Sequence, residues 1–272
     1  MTSSDVLQDR PGTLRIDIHG ARGELSPRSF VDIIDRTLGV LAELEPVISG
    51  ERKASIHWVI VRLIDDVFGI EISAISDQSR PSVGIPPRLL DALLDGVEEI
   101  QGAGTIPPDF TETATRKVRR LAEVIGRNGA RGVTLMAMGK VAEVTAGTKV
   151  AAEELLRIRK RTVGEVEGRL EMISIHNRPR FVVYDQRTRR ATSCYFSPNQ
   201  LEHVKAALGR RVIVRGRVLW NSRQQAVRVE VERLRVLKNT VDLGQSFTLR
   251  GADPDFTGGL PSEAYVRALR DE

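Results

Sequence analysis

The chain has 272 residues, 41% of them hydrophobic and 28% charged, with a net charge of +5. That is enough apolar material for one large or two moderate cores. The single cysteine, Cys194, excludes an internal disulfide, four scattered histidines supply no local zinc set, and no apolar run nears the roughly 18 residues that span a bilayer.

The net charge hides a division. Arg157–Lys238 holds 20 of the 41 Lys and Arg but only 7 of the 36 Asp and Glu, a balance of +13 that leaves −8 elsewhere. Such asymmetry implies an anionic partner for the basic part, or docking of one part on the other.

Residues 1–12 are polar, without an apolar signal core, and read as a flexible lead-in to a cytoplasmic protein. Thr13–His19 alternates, with Leu14, Ile16 and Ile18 on one face, and reads as a strand. Ser26-Pro27 opens a helix, Ser as N-cap and Pro in the first turn. Phe30, Ile33, Ile34, Leu38, Leu41 and Leu44 follow at helical spacing, and Pro46 and Gly50 mark the end. Two strands come next, Ala54–Ile64 and Val67–Ile75, joined at Asp65-Asp66. After a Pro- and Ser-rich loop, Ser79–Pro87, Arg88–Ile100 is an amphipathic helix. Pro107-Pro108-Asp109 starts another, with Asp109 and Glu112 at capping-box spacing, running to Ile125. Val133–Met138 is a short strand and Thr148–Arg159 a last helix. Residues 13–160 therefore form a β-α-β-β unit with added helices, an α+β domain.

Residues 161–238 read differently. Val163–Ser174, Arg180–Asp185 and Ala191–Phe196 are β-type runs, Pro198–Leu208 is helical, and Arg211–Trp220 and Ala226–Val236 are again β-type. The order β-β-β-α-β-β is that of a small OB-like Greek-key barrel. Val166, Gly168, Leu170 and Met172 share one face of the first strand, as do Val212, Val214, Gly216 and Val218 of the fourth. In the fifth, Val227, Val229 and Val231 give way out of phase to Leu234 and Val236, as a bulge would cause. Arg215, Arg217 and Arg228 then stand on outer faces. With Arg178, Arg180, Arg187, Arg189 and Arg190, Arg215 and Arg217 make a candidate DNA or RNA surface. Phe181, Tyr184, Tyr195, Phe196 and Trp220 either stack on bases or fill the barrel.

Catalytic patterns are missing. Cys194 lies inside a strand as a buried structural thiol, Gly102-Ala103-Gly104 follows a helix rather than a strand, and Gly126–Gly132 is a helix stop. No triad, zinc-peptidase or phosphate-loop signature occurs, so neither enzyme activity, a cofactor nor a metal is expected.

Asn239–Glu272 is Gly- and Pro-punctuated and too sparse for its own core: an extended tail. Only Pro261–Arg270 looks helical, with Tyr265, Val266 and Leu269 on one face. A helix this short needs a surface to pack on.

The layout resembles a loose group of bacterial two-domain proteins. The likeness lies in the helix opening LSPRSF (Leu25–Phe30), in GEVEGRLEMISIHNRPRFVVYD (Gly164–Asp185) and in GRRVIVRGRV (Gly209–Val218). The tail, LRGADPDFTGGL (Leu249–Leu260) followed by the Ser262–Arg270 helix, is similar to endings of antitoxins encoded beside small PIN-domain toxins. The resemblance implies a non-catalytic antitoxin-like protein whose tail occludes the acidic, metal-binding site of a PIN-type ribonuclease. Arg250, Phe256, Leu260, Tyr265, Val266, Arg267, Leu269 and Arg270 would be its contact residues. The alternative is a nucleic-acid-binding protein acting through the barrel. Neither reading requires a membrane, and both are compatible with an oligomer.

Overall fold

The structure, a computed structural model, describes residues 11–20, 23–50, 56–64, 68–75, 84–175, 178–188, 190–237 and Arg267. The chain divides into two units, Met1–Leu237 and Lys238–Glu272. The Asp65-Asp66 turn, most of the lead-in, Arg189 and every candidate tail contact except Arg267 lie outside the described residues.

The first half is a five-stranded antiparallel sheet under helices. Its strands are β1 (Thr13–His19), β2 (His57–Ile64), β3 (Phe68–Ile75), β4 (Gly132–Ala137) and β5 (Lys140–Val144), in the order β2-β3-β1-β4-β5. The helices are α1 (Pro27–Ser49), α2 (Ile85–Gln101), α3 (Glu112–Ala122) and α4 (Ala146–Leu156). Leu14, Ile16 and Ile18 of β1, Ile70 and Ile72 of β3 and Val133 and Leu135 of β4 face these helices in one core. The opposite face is polar: Arg15 pairs with Asp17, Arg62 with buried Glu71, and His19 Nε2 lies 2.6 Å from Thr134 Oγ1.

Ser26 caps α1, accepting from the Ser29 amide, with Pro27 in the first turn. The helix runs through Pro46 and stops at Gly50, whose φ of 70° is left-handed; the Gly50 amide closes the turn on the Pro46 carbonyl at 3.1 Å. So Gly50, not Pro46, ends it. The next cap also differs from expectation. Thr111, not Asp109, accepts from the Ala114 amide and starts α3. Asp109 is left-handed, with φ 63°, and ends the loop before the helix. β5 was not expected at all. It pairs with β4 through Met138-Gly139, both at positive φ, the backbone of a two-residue hairpin turn.

The second half is a closed barrel of β6 (Lys160–Ser174), β7 (Arg180–Asp185), β8 (Arg190–Tyr195), β9 (Arg211–Trp220) and β10 (Ala226–Val236), in the order β10-β8-β7-β6-β9. A 3₁₀ turn, Pro198–Gln200, and α5 (Leu201–Ala206) lie between β8 and β9. β6 pairs with both β7 and β9, and β8 runs parallel to β10. Phe181, Val183, Cys194, Phe196, Val212, Val214, Val218 and Val229 fill the interior. Closure needs glycine where strands crowd: a Cβ at Gly216 would run into the Glu230 carbonyl, and one at Gly168 into the Tyr184 carbonyl. The β10 phase slip is real, with a register shift between Val231 and Arg233. A second shift, between Leu170 and Met172, corrects the sequence reading of β6: Met172 leaves the barrel core and joins a small outer cluster with Val47, Val182 and Ala191.

Candidate nucleic-acid interface

The barrel has two unlike outer faces. On β7 and β8 the outward residues are Val182, Tyr184, Ala191, Ser193 and Tyr195. They are buried or half-buried because the end of α1 and the start of α3 sit against them. Val47 of α1 packs on Val182, Ala191 and Met172. Around this apolar patch runs a ring of carboxylates and guanidinium groups.

Glu112, in the first turn of α3 and 3% exposed, is its centre. Arg228 Nη1 donates to it at 3.1 Å, the Tyr195 hydroxyl donates at 3.2 Å, and Arg116 pairs with it one turn along the helix. Burial, and then the nearby Glu112 charge, raise the Tyr195 hydroxyl above its ordinary pKa. Glu43 of α1 accepts from Arg180 at 2.8 Å and from the Thr111 hydroxyl at 3.2 Å, with Lys117 Nζ at 3.7 Å. The Tyr184 hydroxyl donates to Asp109 at 2.7 Å. The loop between β9 and β10 docks as well: Gln225 and Ile106 exchange two hydrogen bonds, at 2.8 and 3.2 Å, and Asn221 donates to the Leu155 carbonyl.

Beside this dock is a cleft of about 420 Å³ lined by Ser49, Arg88, Asp109, Arg169, Glu171 and Tyr184, among others. Burial pushes the Glu171 carboxyl above the ordinary range; Arg169 works against that and Asp109 adds to it. Among the described residues no group of three or more His, Cys, Asp or Glu could hold a metal ion. Burial drives the Cys194 thiol well above its usual pKa, so it stays protonated.

The other face, on β6, β9 and β10, is open. Cross-strand register sets Val163, Arg217 and Glu230 in one row, Glu165, Arg215 and Arg233 in the next, and Glu167, Ile213 and Arg235 in a third. Arg169 and Arg211 pair beyond these rows. Arg217 is 58% exposed and bonds Glu230 at 3.3 Å; Arg211 pairs with Glu167. The ladder thus alternates charge but keeps an excess of arginine.

The sequence-predicted surface residues therefore separate. Arg215 and Arg217 lie on the open ladder. Arg187 and Arg190 are exposed near the β7–β8 turn. Arg178 is exposed, its guanidinium 4.4 Å above the Tyr195 ring and 3.9 Å from Glu230. Arg180 is not on that surface: it is 13% exposed and engaged by Glu43. Arg161, Arg169, Arg211, Arg233 and Arg235 are exposed as well, and were findable from their alternation with inward residues. Of the two groups that hold the dock, Glu43 carried no local signal and Glu112 only that of a capping box. The aromatics resolve too. Phe181 and Phe196 are barrel core, 5.7 Å apart. Tyr184 and Tyr195 serve the dock, and Trp220 donates to Thr162 Oγ1 at 2.7 Å.

No family model matches this chain, and no curated protein does either. Among solved structures the chain is similar to an OBody, AM1L10, bound to hen egg-white lysozyme, at 21% identity over 28% of this chain and 80% of that one, with a TM-score of 0.23. It is also similar to yeast Stn1 and Ten1, at 18% identity over 39% of this chain and 60% of that one, with a TM-score of 0.21. No helix among the described residues is long and apolar enough to cross a membrane.

Proposed function

We propose that this chain is a non-catalytic binding protein whose OB-type barrel holds nucleic acid by its phosphates. Strand order supports the OB-type reading: the first strand pairs with the second and fourth, the third runs parallel to the fifth, and the helix lies between third and fourth. The observation that carries the function is the exposed arginine ladder of β6, β9 and β10. Its chemistry is that of a sequence-independent backbone contact, because the barrel's aromatics are taken by its core and its dock. The face of the second and third strands, where OB barrels bind oligonucleotides, is covered here by the protein's own helices.

The test is a titration of single-stranded RNA and DNA across salt. Log affinity should fall linearly with log salt, with a slope of about −0.7 per phosphate neutralised. Absence of binding at low salt, or binding indifferent to salt, would rule the proposal out.

The antitoxin-like reading rests on the tail sequence, in the unit Lys238–Glu272. Co-expression with the product of the adjacent gene tests it: removal of Asp253–Glu272 should abolish the complex and any growth rescue. A complex that survives the truncation excludes the tail as the binding segment.

A further inference from the structure

Among the described residues β2 is the outer strand of the five-stranded sheet, and its sequence lacks the residues that usually protect an edge. An edge strand presents unpaired amides and carbonyls to any passing strand; proteins usually blunt it with Lys, Pro, a short length or a bulge, and of these β2 has only a bulge. β2 is eight residues long, reads HWVIVRLI, and carries no Lys, Pro or Gly. Three of its apolar side chains are open to solvent: Ile60 is 62%, Val61 48% and Leu63 67% exposed. The registers Trp58↔Ala74, Ile60↔Ile72 and Leu63↔Ile70 put Trp58, Ile60 and Leu63 on the helix side of the sheet, beside core residues Ile70 and Ile72. The helices cover those core neighbours and partly cover Trp58, but leave Ile60 and Leu63 exposed. Val61 is the extra residue of a bulge between Ile60 and Arg62.

We infer that β2 is a homodimer seam, pairing antiparallel with β2 of a second copy across a two-fold axis. Charge selects the copy as the occupant. The one Lys or Arg on the strand, Arg62, points to the other face and is held by buried Glu71 at 2.7 Å. Two copies of this basic protein can therefore meet here without opposing like charges, which the arginine ladder could not allow. Geometry agrees. An axis between Ile60 and Val61 sets Ile60 opposite Val61, Val59 opposite Arg62, and Trp58 opposite Leu63. Trp58 and Leu63 already share the helix side, so the pairing closes one apolar strip from both copies. A ten-stranded sheet results, with each β5 at its outer edges.

The test is sedimentation velocity of the full chain from low to high micromolar concentration, with hydrogen exchange of the β2 amides at both ends of that range. The wild type should be a dimer at the high end, with β2 amides protected only there. Ile60→Lys and Leu63→Lys should each shift it to monomer with an unchanged circular dichroism spectrum, because both side chains are exposed and their loss leaves the core intact. Val150→Lys, an equally exposed apolar site on α4, should leave the dimer alone. A monomer at every concentration overturns the inference, as does a dimer indifferent to both β2 variants. A wild-type monomer that dimerises once Lys238–Glu272 is removed also overturns it, and assigns the edge to the chain's own tail.

Discussion

The two outer faces of the barrel are made from the same material and do opposite things. Both alternate inward apolar residues with an outward set, and both outward sets include arginine. On the β7–β8 face the arginines meet buried carboxylates: Arg180 meets Glu43, and Arg228, reaching over from β10, meets Glu112. On the β6–β9–β10 face Arg211 and Arg217 meet Glu167 and Glu230 in solvent. The local strand pattern is alike. What differs is the apolar patch between the charges: Val182, Ala191 and Met172 cluster with Val47 on one side, while Val163 and Ile213 stand apart among charged residues on the other. Apolar area gives a face something to hold, and charge then fixes how it is held.

The sharpest way to break this comparison is to delete one carboxylate from each face. Glu112→Ala removes the acceptor of Arg228, Arg116 and Tyr195 from a site that is 3% exposed. Stranding buried charge costs about 3–5 kcal/mol. The lower end applies, because Arg116 and Arg228 retain some access to water. Glu167→Ala on the open face should cost under about 1 kcal/mol. Urea unfolding followed by circular dichroism measures both. Equal losses would mean that the two faces are energetically the same.

How far the sequence foretold this depends on the distance its signals act over. Local chemistry was legible: Ser26-Pro27 as a helix start, the Val212, Val214, Gly216 and Val218 alternation, and the slip before Leu234 are all in place. Local signals also misled where two were on offer. Asp109 had the spacing of a cap, but Thr111 has the position, and Asp109 turns left-handed in the loop before it. β5 hid because its turn is Met138-Gly139, and a left-handed methionine is a poor advertisement for a hairpin. Met172 kept the inward period on paper, but a bulge moved it outside. The dock itself was legible only as a charge imbalance. Glu112 and Arg228 lie 116 residues apart, and no periodicity connects them. The imbalance left anion binding and self-docking open; the structure divides the arginines between docking and an exposed ladder.

The second prediction sharpens the ladder side. Arg215→Ala with Arg217→Ala removes two exposed charges, so stability should stay within about 0.5 kcal/mol of wild type. If the ladder binds phosphates, the same double variant should flatten the salt slope by about 0.7 per lost contact and weaken all sequences alike. Arg180→Ala should do the reverse, lowering stability while leaving the slope in place, because its guanidinium is spent on Glu43. A double variant that unfolds the barrel, or an Arg180 variant that alone changes the slope, would invert the assignment of the two faces.

The smallest effect lies in the cleft between them, at Glu171. Burial holds its carboxyl above the ordinary range, with Arg169 opposing and Asp109 adding to the shift. The folded state therefore binds this proton more tightly than the unfolded state does. As pH rises from the usual glutamate range through the raised value, the unfolded chain releases its proton first, and stability falls. Glu171→Gln removes the group that has to ionise. The variant should be more stable than wild type at neutral pH, and the gain should shrink to nothing below the ordinary glutamate pKa, where both side chains are neutral. Urea midpoints across that range, read on both proteins, carry the sign. A gain of the same size at acid and neutral pH would show that the amide improves packing, and that the half-buried carboxylate is not what the cleft strains against.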